Sequence, residues 1–326
     1  MRRFVLGMLF TVASVLLLVR LMNWQIAWDT LQAADPGYIA LATTTLLLSL
    51  TAKAIRWRLL LPRESSVTTP RLFRIMHISF MLNNILPARL GDVARVAMTA
   101  RQPGMRFGHV VSSLLTERVT DLVVLVCCFA MVSPFLPIPP AYKDWLHLAW
   151  MAIASAVALL VLGYALKGRL RPALRHLPAL GRLPGLGKIG AEADSFREGW
   201  RQLFNRRSLL PIWGWSAFAW AGAFAINFLL MRALKIDAPI TVAVLLTCTT
   251  NLAMLVPSSP GYLGVFHAAA TLSLLPFDVA SGAALSFAIL AHLVNVLPVS
   301  IIGAAFLLAN RDQLDLKLPR RGGAGG

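Results

Sequence analysis

Residues 80–95, FMLNNILPARLGDVAR, decide the fold class of this chain. The stretch begins as an apolar run and stops at Pro87. It continues as a helix-like segment that carries three charged residues, Arg89, Asp92 and Arg95. Non-helical backbone is tolerated at membrane depth only where protein buries it or where it lines a cavity. A break with charged residues in an apolar helix therefore predicts a polar pocket inside a membrane protein.

The composition is that of a polytopic membrane protein. Hydrophobic residues make up 57% of the 326 residues and charged residues only 14%. Apolar runs of about 20 residues recur along the chain, which is the length that spans a bilayer as a helix. The net charge of +17 lies mainly between the apolar runs, without a nucleic-acid-binding pattern. We interpret this charge as a sign of topology and of anionic lipid partners, and we expect no nucleic-acid partner.

Six apolar runs are long enough to be predicted as full spans. The first is the N-terminal run, which lacks a small-residue cleavage site before Arg20 and is predicted to be an uncleaved helix. The others are residues 38–61, 110–136, 146–166, 209–231 and 280–308. Near the end of the second run, we predict Lys53, Arg56 and Arg58 to snorkel to the cytoplasmic interface and Trp57 to sit in it. With this topology most basic residues fall on one side, so both termini are predicted to be cytoplasmic.

Two further apolar runs, residues 72–86 and 241–256, are too short to span comfortably. Each stops at a similar motif: PARLG, which we call the first break, and PSSPG, which we call the second break. The residues predicted to shape these breaks are Pro87, Gly91, Pro257, Gly261 and Gly264. The two breaks enter from opposite sides in this topology, which is the arrangement of a transporter with an inverted repeat. A chance likeness is the alternative, because proline and glycine are common in membrane helices.

The predicted fold is therefore an all-α polytopic bundle with about six full spans and two re-entrant broken-helix pairs in an inverted repeat. Residues 1–310 form the integral membrane domain. Its parts are repeat one at about 38–136, a cytoplasmic amphipathic linker at 167–208 and repeat two at about 209–309. Residues 311–326 are predicted to be a disordered cytoplasmic tail.

Charged residues near the first break are the leading site candidates. Arg89, Asp92 and Arg95 follow the spacing i, i+3, i+6, which predicts one helix face. Such a face would bind phosphate, because arginine matches phosphate oxygens bidentately and a helix end adds backbone donors. The alternative is an interfacial helix held on the cytoplasmic surface by its basic residues.

A second charged group, Glu117, Arg118 and Asp121, lies within the third full span. A charge at that depth costs about 2.5–3.5 kcal/mol, so these side chains are expected to face the bundle interior. We hypothesise that the acids pair with Arg89 or Arg95 across the cavity. A purely structural ion-pair cluster is the alternative.

The second half of the chain offers a milder polar set. Its members are Asn251, Ser258, Ser259, His267, His292 and Asn295. His292 and Asn295, three residues apart in an apolar span, are typical of interhelical hydrogen-bond partners rather than proton carriers. His267 follows the second break directly and is the better candidate for a binding role.

Enzyme signatures are weak. Cys127, Cys128 and Cys248 lie in apolar runs without ligand spacing, so neither a disulfide nor a zinc site is expected. Residues 185–190, GLGKIG, fit a dinucleotide motif but follow a loop rather than a strand. We expect no catalytic residue, metal or cofactor.

Four motifs together resemble a known family: AIRWRLLL, NNILPARLGDVAR, TERVTDL and VPSSPGYLGVFH. The chain resembles, over about residues 2–310, the membrane domain of the lysylphosphatidylglycerol synthase family, the flippase-like part of the multiple peptide resistance factor. This resemblance implies a domain that moves an aminoacylated phospholipid between leaflets, with stand-alone relatives linked to hopanoid or glycolipid pathways. The positions it implicates are Asn84, Pro87, Arg89, Gly91, Arg95, Glu117, Arg118, Asp121, Pro257, Gly261, Gly264 and His267.

The full-length synthases carry a soluble aminoacyl-transferase domain, which we do not find before Gly326, so we expect no lipid synthesis by this chain. The leading hypothesis is a lipid flippase or scramblase of the bacterial inner membrane. The alternatives are a membrane enzyme that transfers a sugar or aminoacyl group to a lipid carrier, and an accessory scaffold for lipid-synthesis enzymes.

Overall fold

The computed structural model describes residues 24–62, 65–86, 89–136, 151, 206–254 and 260–309. These residues are helical or irregular, with no strand among them. The predicted N-terminal span, the predicted span at 146–166 except residue 151, nearly all of the predicted linker and the predicted tail lie outside the described residues. Pro87, Pro257, Ser258 and Ser259 lie outside them as well.

The described residues form nine α-helices. In chain order these are α1 (Trp24–Gln32), α2 (Pro36–Leu60), α3 (Thr69–Ile85), α4 (Leu90–Ala100), α5 (Phe107–Val132), α6 (Arg206–Ala233), α7 (Ile240–Ala253), α8 (Val265–Leu274) and α9 (Ser281–Ala309). Short 3-10 turns follow α5 at Ser133–Phe135, precede α8 at Pro260–Tyr262 and follow α8 at Leu275–Phe277. The predicted helices from residue 38 onward that fall on described residues are all present.

Four of these helices are long and apolar enough to cross a membrane. The qualifying stretches are Pro36–Leu60, Phe107–Phe135, Leu210–Ala233 and Ser281–Ala309. At 1.5 Å per residue, the shortest of them covers about 36 Å, more than the hydrocarbon core of about 30 Å. The prediction of an all-α, multi-pass membrane protein is therefore confirmed.

Helices α2 and α6 run antiparallel side by side through the middle of the molecule. At one end the backbone N–H of Asp35 donates to the carbonyl of Ala233, at 2.9 Å. At the other end Nη1 of Arg56 donates to Oγ of Ser216, at 3.1 Å. Between them, a Cβ on Gly222 would overlap the hydroxyl of Ser49. The absence of that Cβ lets the two helices approach closely.

The short helices pack in pairs on either side of this axis. Helix α3 packs against α4 and α9, and α7 packs against α8 and α5. Hydroxyl groups join each pair: Oγ of Ser79 donates to the carbonyl of Gly91 at 2.8 Å, and Oγ of Ser273 donates to Oγ1 of Thr249 at 2.8 Å. Each half of the described chain thus holds one long helix, two short helices and a second long helix.

Helix α1 was not predicted from the sequence. It packs against α9, where Oγ of Ser286 donates to the carbonyl of Ala27 at 2.8 Å. Asp35 separates α1 from α2, and its carboxylate accepts from the N–H of Gly37 at 2.7 Å as an N-cap. This cap and the following proline explain why α2 begins at Pro36, two residues earlier than expected.

Gly91 fixes how closely α4 approaches α3, and its replacement by alanine tests this. An added Cβ would overlap the carbonyl of Ser79 and lie 2.6 Å from Oδ1 of Asn83. We expect Gly91→Ala to lower the free energy of unfolding by about 1–3 kcal/mol, because one backbone must move to admit the methyl group. Unfolding of the purified protein by a denaturing detergent in mixed micelles measures this.

The matched control is Gly214→Ala in α6, where a Cβ meets no atom within 4 Å. Alanine is the better helix former by about 1 kcal/mol, so this variant should be no less stable than the wild type. An equal loss of stability in both variants would contradict the proposed close contact at Gly91.

Candidate functional site

The first break has an unusual backbone conformation at Arg89. Helix α3 ends at Ile85, α4 begins at Leu90, and Arg89 between them has a φ of 55°, in the left-handed region. A non-glycine residue with positive φ is uncommon and costs of order 1–3 kcal/mol. Arg89 therefore precedes α4 instead of continuing its face. The prediction of one strip through Arg89, Asp92 and Arg95 is wrong for this reason.

The two breaks meet. Nη2 of Arg89 donates to the carbonyl of Met254, the C-cap of α7, at 2.7 Å. The Arg89 guanidinium also lies 5.5 Å from the centre of the Tyr262 ring. A Cβ on Gly261, which has a φ of 67°, would lie 3.3 Å from the carbonyl oxygen of Asn84. Arg89 thus binds the negative end of α7, and the ends of both short helices lie together.

A buried ion-pair network lies between α2, α4 and α5. We define the inner network as Arg56, Arg95, Glu117 and Asp121. Arg95 donates from Nη1 and Nη2 to the two oxygens of Glu117, at 3.1 and 2.8 Å. Arg56 donates from Nη1 to Oδ1 of Asp121, at 2.6 Å. The acids therefore face the bundle interior as predicted, and Arg95 rather than Arg89 is the partner of Glu117.

Two tryptophans enclose this network. The Arg95 guanidinium lies 3.7 Å from the centre of the Trp57 ring, and Nε1 of Trp57 donates to Oγ of Ser113 at 3.1 Å. Nε1 of Trp220 donates to Oδ1 of Asp121 at 3.1 Å. Both arginines are 0% exposed. Because buried charges must be paired and hydrogen-bonded, this arrangement satisfies the carboxylates within the protein.

The predicted snorkelling of Arg56 and the predicted interfacial position of Trp57 are both wrong. Both side chains are 0% exposed and face α4, α5 and α6 rather than the interface. The sequence contained a signal for this. Lys53 and Arg56 lie within the apolar run, and about 12 Å of helix separate Lys53 from residue 61, which is deep for an interfacial side chain.

A second polar group lies beside the inner network. Oδ2 of Asp92 accepts from Nη2 of Arg118 at 3.0 Å, and Oδ1 of Asp92 accepts from Nδ2 of Asn83 at 3.1 Å. Asn84 donates from Nδ2 to Oγ of Ser300 in α9, at 2.9 Å. These bonds connect the first break to α5 and α9.

A cavity of about 290 Å³ opens beside these groups, between α2, α3, α6, α7, α9 and the two breaks. We call it the central cavity. The polar residues that line it are Ser49, Lys53, Asn83, Asn84, Arg89, Asp92, Arg118, Trp220, Asn227, Thr247, Thr250, Asn251, Tyr262, His292 and Asn295. Its described wall thus carries three cations, Lys53, Arg89 and Arg118, and one carboxylate, Asp92.

Most of the predicted site residues fall into two groups. Those that line the central cavity are Asn84, Arg89, Asp92, Arg118, Asn251 and Gly261. Those that lie outside its wall in the inner network are Arg95, Glu117 and Asp121. Sequence reasoning did not assign Lys53, Asn83 or Asn227 to the site. Lys53 and the inner-network residue Arg56 were detectable as charges within a predicted span.

The histidines form a separate contact. His267 lies outside the cavity wall, with its ring centre 4.8 Å from that of His292, which does line the cavity. Nδ2 of Asn295 donates to the carbonyl of Ala291 in its own helix, at 2.8 Å. This bond lies within α9, and the interhelical hydrogen bond expected of Asn295 stays a prediction.

The fold and the cavity define a multi-pass α-helical membrane protein with a charged cavity where two broken helices meet. The chain belongs to the family described as the lysylphosphatidylglycerol synthase TM region, whose model matches residues 4–303. Membership makes it a membrane protein of lipid metabolism or transport. No curated protein and no solved structure matches the chain.

Proposed function

We propose that this chain is a flippase or scramblase that moves a lipid with a phosphate-bearing headgroup between the leaflets of the bacterial inner membrane. The headgroup enters the central cavity while the acyl chains stay in the bilayer. Hydrocarbon about 30 Å thick opposes the passage of a headgroup because its polar groups lose their water. A polar cavity at membrane depth lowers that cost.

The charge of the cavity wall carries this proposal. Lys53, Arg89 and Arg118 line the cavity with Asp92 as the single carboxylate among the described lining residues. Charged side chains in membrane segments are costly, and they mark substrate pathways. The volume of about 290 Å³ is at the small end of ligand pockets, which range over about 300–1,000 Å³. It suits a headgroup rather than a whole lipid.

Helix order supports an inverted repeat of two re-entrant pairs as the basis of transport. In the first half α2, α3, α4 and α5 contain 25, 17, 11 and 26 residues. In the second half α6, α7, α8 and α9 contain 28, 14, 10 and 29. The corresponding helices α2 and α6 run antiparallel, as helices related by an in-plane axis must. Substrate sites of such transporters lie where the broken helices meet.

The topology that goes with this proposal places both termini in the cytoplasm. The N-terminal half of α5 and the C-terminal half of α2 lie together, since Trp57 contacts Ser113. Basic residues such as Arg58, Arg101 and Arg106 lie near these helix ends. The positive-inside rule assigns that side to the cytoplasm.

The experiment that tests this function is a translocation assay with the purified chain in vesicles. Lipids labelled on an acyl chain keep their headgroups intact, and dithionite reduces only the label in the outer leaflet. We expect faster loss of protected label than in protein-free vesicles or in vesicles with an unrelated helical membrane protein. The absence of acceleration for phosphatidylglycerol, phosphatidylethanolamine, phosphatidic acid and lysyl-phosphatidylglycerol alike would refute the proposal.

A further inference from the structure

Lys53 is a cation of the central cavity without an ion-pair partner in the described part of the chain. Its Nζ lies 5.4 Å from the centre of the Trp220 ring. The nearest network acid, Asp121, already accepts at Oδ1 from Arg56 and from Trp220. Arg118, another cation of the wall, is paired with Asp92. Lys53 is thus the lining cation most available to an anionic ligand.

The asparagines of the cavity wall share a hydrogen-bonding pattern. Five line the cavity in the described part of the chain, and each donates from its amide N–H group within the protein. The acceptors are Asp92 for Asn83, Ser300 for Asn84, Ala223 and Thr247 for Asn227, Thr247 for Asn251, and Ala291 for Asn295. A carboxylate or a backbone carbonyl can only accept, so such a partner fixes which end of the amide donates in each of these asparagines except Asn84, whose partner is a hydroxyl group. The amide oxygens remain as acceptors.

Two of these oxygens belong to Asn227 and Asn251, whose amide orientation is fixed by their carbonyl partners. Oδ1 of Asn83 also has no hydrogen-bond partner among the described residues, but it is buried against Gly91 of α4. Asn227 and Asn251 therefore offer the cavity acceptors for a ligand that donates hydrogen bonds. Either a hydroxyl group or an ammonium group could donate such bonds.

Charge decides between these two donors. Among the described residues, five cations surround the cavity and the inner network, against three carboxylates. The cations are Lys53, Arg56, Arg89, Arg95 and Arg118, and the carboxylates are Asp92, Glu117 and Asp121. An ammonium group would enter a region of excess positive charge, whereas a hydroxyl group carries no charge and pays no such penalty. A phosphate group would offset the excess.

We propose that the central cavity selects a headgroup with both a phosphate and free hydroxyl groups, such as a phosphoglycerol or sugar-phosphate lipid. Lys53 binds the phosphate, and Asn227 and Asn251 accept from the hydroxyl groups. The cavity discriminates against aminoacylated headgroups, whose ammonium groups reverse the net charge of the lipid. This inference deepens the proposed function and rests on it.

The experiment compares phosphatidylglycerol with lysyl-phosphatidylglycerol in the vesicle assay, both labelled on an acyl chain. We expect the wild type to move phosphatidylglycerol about tenfold faster or more, the scale of one charge-assisted hydrogen bond. Lys53→Glu should slow phosphatidylglycerol about tenfold and remove or reverse the preference. Lys53→Arg should retain the preference, and Lys235→Glu, at an exposed turn, should match the wild type.

A binding measurement separates this inference from the proposed function. Short-chain phosphatidylglycerol should raise the thermal midpoint of the detergent-solubilised wild type but not that of Lys53→Glu, and short-chain lysyl-phosphatidylglycerol should raise neither. Lys53→Gln is the second variant if the glutamate variant does not fold. Equal movement of both lipids by the wild type would overturn the inference while the flippase proposal stands. Lys53-dependent binding without translocation would support the inference and refute the flippase.

Discussion

Replacing Glu117 with alanine is expected to lower the free energy of unfolding by about 3–5 kcal/mol. Glu117 is 3% exposed and accepts from both Nη atoms of Arg95. Nη2 of Arg56 lies 3.9 Å from the same carboxylate. Alanine would leave two buried guanidinium groups with Asp121 as the one remaining carboxylate of the inner network. The loss of a partner from a buried pair is costly because the remaining charge is neither solvated nor neutralised.

Detergent-induced unfolding of the purified protein measures this effect, with Arg232→Ala as the control. Arg232 pairs with Asp237 at 3.0 Å, but the Asp237 side chain is 94% exposed. An exposed pair contributes at most about 1 kcal/mol, so the control should stay close to the wild type. A loss at Glu117 no larger than that of the control would contradict the assignment of stability to the inner network.

Two double variants identify the partner of Glu117. Arg95→Leu combined with Glu117→Leu should recover most of the lost stability, because an apolar pair of similar size often replaces a buried ion pair without cost. Glu117→Arg combined with Arg89→Glu should recover none, because Arg89 binds the carbonyl of Met254 instead. Recovery in the second double variant would mean that Arg89 reaches Glu117 in another state of the protein.

Replacing Arg89 with alanine is expected to slow lipid translocation by about tenfold to a hundredfold while the protein remains folded. The Arg89 guanidinium joins the first break to the end of α7 through the carbonyl of Met254, at 2.7 Å, and also lines the central cavity. Its loss removes a charge-assisted hydrogen bond between the two halves and one cation from the cavity wall. The vesicle assay measures the rate, and thermal unfolding reports the fold.

Two matched variants sharpen this result. Arg89→Gly removes the side chain but relieves the positive φ of 55°, so it should be more stable than Arg89→Ala yet equally slow. Arg89→Lys keeps the charge and should retain part of the rate. Lys235→Ala, at an exposed turn, should translocate at the wild-type rate. A wild-type rate in Arg89→Ala would refute the role of the first break in transport.

The Arg89→Ala variant also distinguishes transport from the two rival functions. A scaffold that only holds lipid-synthesis enzymes should keep its function when Arg89 is replaced, provided that the protein folds. A membrane transferase would need a donor site and a nucleophile with a base. In the described cavity wall, the carboxylate Asp92 is already paired with Arg118, and Arg89 donates to a backbone carbonyl.

The helices were readable from the sequence because their signals are local. Apolar length predicted α2, α5, α6 and α9 to within a few residues at each end. Proline and glycine predicted that the chain would break after α3 and after α7. Each of these signals depends on a few neighbouring residues. The short helix α1 escaped prediction because its stability depends on packing against α9.

The partners of the charged residues were only partly readable. The contact between Arg95 and Glu117 could be proposed because both charges lie at membrane depth and must be paired. The depth of Lys53 and Arg56 within the apolar run was detectable, but their roles were missed because a basic residue near the end of such a run is usually interfacial. Burial by α5 and α6, which the run itself does not encode, makes Arg56 an interior residue instead.

Hydropathy, length and the two proline-containing motifs sufficed to establish a helical membrane protein with two breaks and charges beside them, because each property is encoded within one segment. The tertiary structure alone showed that the breaks meet and which charges line the cavity. Arg56 and Asp121 are 65 residues apart in the chain, and Arg89 and Met254 are 165 apart. Contacts at such separations arise from the packing of distant helices, which no local pattern specifies.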